Sequence, residues 1–152
     1  MVTPARLEIQ PTHDRDIREH GQHSFPDECC GFLLGQDQDG LRRIESVLPA
    51  DNDRDDGERH HRFTIPPESF VSVSREARRR GLDVLGFYHS HPNAPARPSE
   101  YDLEYAWPVY SYLIVSVLDH RAEELTCWVM RDDRSQFDEQ IVIVTQPPEI
   151  ER

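Results

Sequence analysis

The stretch Val84-Leu85-Gly86-Phe87-Tyr88-His89-Ser90-His91-Pro92-Asn93-Ala94-Pro95-Ala96-Arg97-Pro98-Ser99-Glu100-Tyr101-Asp102 decides how this chain is read. Its opening, Val84 to Tyr88, is a short apolar run that predicts a buried strand. Side chains two apart in a strand point to the same side, so His89 and His91 can converge on one ion while Ser90 points away. Pro92, Pro95 and Pro98 then force a loop, because each lacks a backbone donor and disfavours helix in the residue before it. Ser99 opens a helix with Asp102 in its first turn. Strand, loop and helix together bring two imidazoles, a hydroxyl and a carboxylate into one neighbourhood.

Two neutral imidazoles and a carboxylate, with the fourth position left to water, suit catalytic zinc. Structural zinc sites close with four protein ligands, often cysteines. An open site of this kind makes a nucleophile from water near neutral pH, which points to a hydrolase. Plainer readings stand beside this one. An H-x-H pair also fits two strand-end histidines facing solvent. Ser99-x-x-Asp102 also fits a helix N-cap pair, with the aspartate favoured by the helix dipole. Capping and ligation are compatible.

The spacing H-x-H-x7-S-x-x-D resembles the motif of the JAMM (MPN-plus) zinc metallopeptidases, and every fixed position is matched. That family also places a glutamate at the start of an apolar strand, three residues before a glycine. Here Phe25-Pro26-Asp27-Glu28-Cys29-Cys30-Gly31-Phe32-Leu33-Leu34-Gly35 supplies Glu28 in that place. Gly86-Phe87-Tyr88 and the segment from Tyr110 to Val117 are similar to the short bacterial and archaeal branch. The resemblance runs from about residue 5 to about residue 130.

The resemblance implies an α/β fold: a single JAMM/MPN domain over residues 1–152, cytidine-deaminase-like, with a mixed central β-sheet flanked by helices. It implies one Zn2+ per chain, held by His89, His91 and Asp102. Glu28 would accept a proton from the attacking water and pass it to the leaving amine, and Ser99 would donate a hydrogen bond to the oxyanion. The residues alone do not prefer Glu28 over Glu100, Glu104 or Asp83. The family cleaves peptide or isopeptide bonds after the C-terminal Gly-Gly of ubiquitin-like proteins, and its short prokaryotic relatives act on ubiquitin-like sulfur-carrier proteins. The leading expectation is removal of a C-terminal cysteine or peptide from such a carrier; deconjugation from lysines comes second. A reading of another class is a non-catalytic zinc-bearing interaction module, against which the presence of all five site residues argues.

Composition fits a small enzyme. The 152 residues suggest one domain, large enough to bury roughly two-thirds of its unfolded surface. No apolar run approaches the roughly twenty residues that span a bilayer, and the N-terminus lacks a signal-peptide core. No membrane partner and a cytoplasmic location are therefore expected. Three cysteines, two of them adjacent, give no disulfide framework. Cys29 and Cys30 should face opposite sides of a strand, at least one as a small buried hydrophobe. They also define a rival, a Cys-His hydrolase, although Asp27 and Glu28 would raise a neighbouring thiol's pKa.

Net charge is −12, and all 17 basic residues are arginine. Acidic residues crowd Asp51 to Glu58 and Asp132 to Glu139. So negative a chain argues against nucleic acid, which is bound through a basic footprint. Either arginine-rich codon usage or a salt-rich cytoplasm, where screening offsets self-repulsion, accounts for the pattern. The sequence leaves the oligomeric state open, a homodimer included.

The rest of the chain reads as alternating α/β without repeats. Strands are predicted at Leu7 to Ile9, Cys29 to Leu34 and Leu41 to Leu48, the last two joined by an Asp39-Gly40 turn. Further strands are predicted at Arg62 to Ile65, Tyr110 to Val117, Glu124 to Met130 and Gln140 to Thr145. Helices are predicted from Thr12 to about His23, from Pro67 to Arg80 with Gly81 after its end, and from Ser99 to Ala106. The acidic segment from Pro49 to His61 reads as an exposed loop, His60-His61 as a solvated pair, and the proline-rich tail as frayed.

Overall fold

The computed structural model of the chain describes residues 6–52 and 65–146. In chain order the elements are β1 (Arg6–Ile9), α1 (Pro11–Ser24), β2 (Cys30–Gln38), β3 (Leu41–Ala50), α2 (Pro67–Arg79), β4 (Asp83–Pro92), α3 (Glu100–Tyr105), β5 (Ser111–Leu118), β6 (Arg121–Met130) and β7 (Phe137–Val144). The predicted strand at Arg62 to Ile65 falls outside the described residues except for Ile65, which is not in a strand. The His60-His61 pair and the tail also lie outside them. Of the predicted loop, Pro49 and Ala50 instead extend β3 by pairing with Gly31 and Cys30. No helix among the described residues is long and apolar enough to cross a membrane.

The strands form one mixed sheet in the order β1-β3-β2-β4-β5-β6-β7, and β7 pairs in parallel with β1, so the sheet closes on itself. The mixed sheet was expected; its closure was not. β2 and β3 are joined by a two-residue turn with φ of 51° at Asp39 and 81° at Gly40, the left-handed pair that matches strand twist. β5 and β6 are joined the same way through Asp119 and His120.

Each face of the sheet has its own core. On one face Ile17 of α1 packs with Leu7, Leu33, Ile44, Leu85, Tyr88, Leu113, Val115 and Val117. On the other, Ala77 and Phe70 of α2 join Phe32, Leu34, Phe87, Tyr112 and Met130. α1 reads as polar because only His13, Ile17 and Gly21 are buried along it.

One irregularity sets the phase of β4. Val84 pairs with Leu34 and Gly86 with Leu33, which leaves Leu85 as an extra residue. Such a bulge shifts side-chain alternation by one. Val84 and Phe87 consequently share the α2 face, and Leu85 and Tyr88 the α1 face. Gly86 is required beside the bulge, because a Cβ there would lie 1.9 Å from the Ser111 carbonyl oxygen. Beyond the bulge, β4 continues through His89 and His91 to Pro92, in parallel register with β5.

Candidate metal centre and its surroundings

β4 extends past the predicted strand end, so both histidines are strand residues, and the shifted phase puts them on the α2 side. Ser90 turns the other way, toward Gly21 of α1. The proline-rich segment folds back over β5 and β6: Ser116 Oγ donates to Ala94 O at 2.6 Å, Thr126 Oγ1 donates to Ala96 O, and Asn93 N–H donates to Val117 O at 2.7 Å. That path delivers Ser99 to the N-cap of α3. There the Ser99 hydroxyl accepts from Asp102 N–H at 3.0 Å, and Asp102 Oδ2 accepts from Ser99 N–H at 2.8 Å. This reciprocal cap aims the Asp102 carboxylate back toward β4.

The result is a compact triangle. His89 Nε2 and His91 Nε2 are 3.1 Å apart, and Asp102 Oδ2 lies 3.3 Å from the first and 3.1 Å from the second. His91 Nδ1 is 3.0 Å from the Pro95 carbonyl oxygen. Donation there places the ring proton on Nδ1 and leaves the Nε2 lone pair for a cation. Glu28, two residues before β2, is also buried, and one of its carboxylate oxygens and one nitrogen of each imidazole all lie within 4.8 Å of one another. This donor set fits a divalent cation.

Burial and charge act differently on the two carboxyl groups. Burial raises the Glu28 pKa to about 8; the Asp102 charge adds to this and His91 opposes it. Burial pulls His89 below its ordinary value against the attraction of Asp102. For His91 burial is outweighed by the Asp102 carboxylate and the Pro95 carbonyl, and its pKa rises. For Asp102 too burial is outweighed, here by the two imidazoles, and its carboxyl is held well below the usual range. Asp102 is therefore an anion, while burial makes Glu28 hold a proton more tightly than an ordinary carboxyl.

The sequence-derived residues are thus brought together, with Ser99 at the exposed rim of the cluster. The thiol rival is not supported. Cys29 and Cys30 are buried, and burial pushes Cys29 up to about 11 and Cys30 higher still, away from the thiolate a nucleophile needs.

Two features escaped the sequence reading. One is a cavity of about 430 Å³ beside Asp102, walled by Phe70, Phe87, Tyr105, Trp107 and Tyr112. Its signal was the aromatic spacing Tyr101, Tyr105, Trp107 and Tyr112, within and just after the motif. The other is Arg134, whose role depends on a contact remote in sequence.

Residues 11–131 match the family model described as prokaryotic homologs of the JAB domain. The chain is similar to a desampylase from Haloferax volcanii, with 35% identity over 76% of this chain and 84% of that protein. It is also similar to a probable TtuB-protein conjugate cleaving protease from Thermus thermophilus, with 30% identity over 62% of this chain and 60% of that one. Among solved structures, a protein from Desulfitobacterium hafniense superposes with a TM-score of 0.81 at 28% identity, covering 94% of this chain and 95% of that one.

Proposed function

The chain belongs to the family of prokaryotic homologs of the JAB domain, and from that premise we propose that it is a zinc-dependent peptidase and isopeptidase. In this reading it is one catalytic domain that hydrolyses the bond after the C-terminal Gly-Gly of a ubiquitin-like sulfur-carrier protein. The observation that carries the proposal is the His89–His91–Asp102 triangle with buried Glu28 beside it. Its edges of 3.1 to 3.3 Å suit zinc, since ligand atoms about 2.0–2.1 Å from a tetrahedral ion lie roughly 3.3 Å from each other. Zinc, when bound, supplies Lewis-acid chemistry: a nucleophile from water near neutral pH and polarisation of a carbonyl.

The chain's own groups would do the rest. Glu28 takes a proton from the attacking water and returns it to the leaving amine; a buried carboxylate beside both imidazoles is placed for both transfers. Ser99 Oγ accepts the capping bond from Asp102 N–H, which leaves its own proton to donate to the substrate's carbonyl oxygen as charge develops there. The aromatic cavity beside Asp102 offers apolar walls for a substrate segment. Gly-Gly fits a buried reaction centre because it lets the substrate backbone approach without side-chain clash.

The Thermus relative is described as a conjugate-cleaving protease, and this favours lysine conjugates over a terminal cysteine or peptide as the leaving group. The order of the two expectations from sequence is thereby reversed.

The test is intact-mass analysis of two substrates, a Gly-Gly carrier extended by a short peptide and the same carrier joined to a lysine side chain. Wild type should cut after the second glycine, and both chelation and Glu28→Gln should stop it. Equal cleavage of unstructured peptides lacking Gly-Gly would replace the carrier reading with a general metallopeptidase. Zinc binding without turnover of either substrate would leave the non-catalytic module.

A further inference from the structure

The third side of the metal triangle is the least anchored. His89 is paired with strands on both sides and His91 with β5, but Asp102 is carried by α3, where none of the residues from Glu100 to Tyr105 is buried. Leu103 and Tyr105 are exposed. A helix this short has almost every backbone carbonyl near its C-terminal end, where no intrahelical donor follows. Its own capping box holds the N-terminal end. At the other end, Arg134 donates through one terminal guanidinium nitrogen to Ala106 O, and through the other to Glu104 O at 2.9 Å and Leu103 O at 3.2 Å.

Arg134 comes from the turn between β6 and β7, and that turn is firmly built. Arg131 pairs with Asp138 through two hydrogen bonds of 2.9 and 3.0 Å, Arg131 N–H donates to Gln136 O at 3.0 Å, and Arg134 N–H donates to Arg131 O at 2.9 Å. Arg134 also has φ of 60°, the left-handed region that favours glycine. An arginine side chain is thus presented from a backbone position better suited to no side chain at all. A planar fork with five donors is the group that can serve several carbonyls at once, and its charge suits the negative end of the helix.

We propose that Arg134 is a positioning residue for the metal site: it clamps the C-terminal carbonyls of α3 and so fixes Asp102 opposite His89 and His91. The metal part of this proposal rests on the zinc reading above; the clamp on the helix does not. The clamp works through Ala106 as well as directly, because Ala106 N–H donates to Asp102 O at 2.8 Å. Partners that orient a ligand commonly change metal affinity about 10- to 100-fold when lost.

Two variants separate positioning from stability. Arg134→Ala removes the clamp and keeps the left-handed strain; Arg134→Gly removes the clamp and relieves the strain. Zinc affinity, measured by competition with a chromophoric chelator, should fall about tenfold or more in both. Arg134→Gly should melt no lower than Arg134→Ala in the chelated protein. Amide exchange at Leu103 and Ala106, also read in the chelated protein, should be faster in both variants than in wild type. Loss of a positive charge should by itself strengthen cation binding to so acidic a chain, so a fall in affinity runs against the simple charge effect. Zinc affinity within twofold of wild type in both variants, or a loss confined to Arg134→Ala, would overturn the proposal. Faster exchange in a protein that binds no zinc even as wild type would leave the helix clamp and overturn its metal role.

Discussion

Ser90 Oγ accepts a hydrogen bond from the backbone N–H of Cys29 at 2.8 Å, in the interior of the sheet. The residue between the two histidines is thereby tied to the residue after Glu28, and the proposed proton-transfer group is held in step with the candidate ligands. Ser90→Ala would strand a buried N–H, at a cost of about 1–3 kcal/mol. We expect a correspondingly lower denaturation midpoint and a lower kcat with zinc content kept. Loss of zinc in step with activity would show that the bond serves the ligands rather than Glu28.

Metal content is expected to be about one zinc per chain. Elemental analysis should show it falling sharply in each of His89→Ala, His91→Ala and Asp102→Ala. Unchanged zinc in two of the three would move the site elsewhere.

Ser99 carries two roles that one pair of variants can separate. Ser99→Ala loses both the cap and the hydroxyl donor, while Ser99→Asp keeps a capping acceptor, loses the donor and adds a negative charge beside Asp102. Both should lower kcat by roughly a hundredfold or more if the hydroxyl stabilises the developing oxyanion. The cap should cost about 0.5–2 kcal/mol of stability in the alanine variant alone. Near-wild-type turnover in Ser99→Asp would reduce Ser99 to a capping residue.

Acid should weaken the fold partly through His13. Its Nδ1 accepts from Gln10 N–H at 3.2 Å, and burial lowers its pKa, against Asp16 and a backbone hydrogen bond at Glu45 that raise it. The unfolded chain therefore binds this proton more readily than the folded one. The contribution is present above about pH 6.5 and is lost as pH falls through the folded value. His20 is shifted the same way, so the diagnostic is a difference between proteins. His13→Gln should lose less stability than wild type between pH 8 and pH 5 in denaturant titrations, and parallel profiles would exclude this role.

Salt should distinguish the two explanations of the charge. Repulsion among acidic groups reaches about 10 Å at 0.1 M salt and about 3 Å at 1 M. If the composition is an adaptation to a saline cell, the melting temperature should climb with potassium chloride up to molar concentrations. A flat or falling curve would favour codon usage.

Local pattern carried much of the fold. α2 and α3 were legible from proline, serine and glycine punctuation, and the β2–β3 turn from Asp39-Gly40. The β5–β6 turn was not, because Asp119 and His120 adopt left-handed backbone without a glycine to announce it. Closure through β1 and β7 was invisible for another reason: nothing in Leu7 to Ile9 says which distant strand it will meet. At the site, period-two alternation brought His89 and His91 together on the page, and the capping pattern brought Ser99 to Asp102. Glu28 needed the family resemblance, since only folding carries it to the histidines. Arg134 had no local signal, because a guanidinium bound to carbonyls leaves no partner side chain to notice.

The unpaired Leu85 makes β4 behave like two passages separated by a frameshift. Substitutions in its first half can alter packing while the imidazoles keep their direction. A one-residue insertion or deletion between Gly86 and His89 cannot do so, because the regular pairing with β5 there has nothing to absorb it and the imidazoles would turn to the α1 face. Removal of Leu85 itself would only straighten the strand, since both halves keep their partners in β2. Functional relatives should therefore align without gaps from Gly86 to His91 and tolerate a change of length at residue 85.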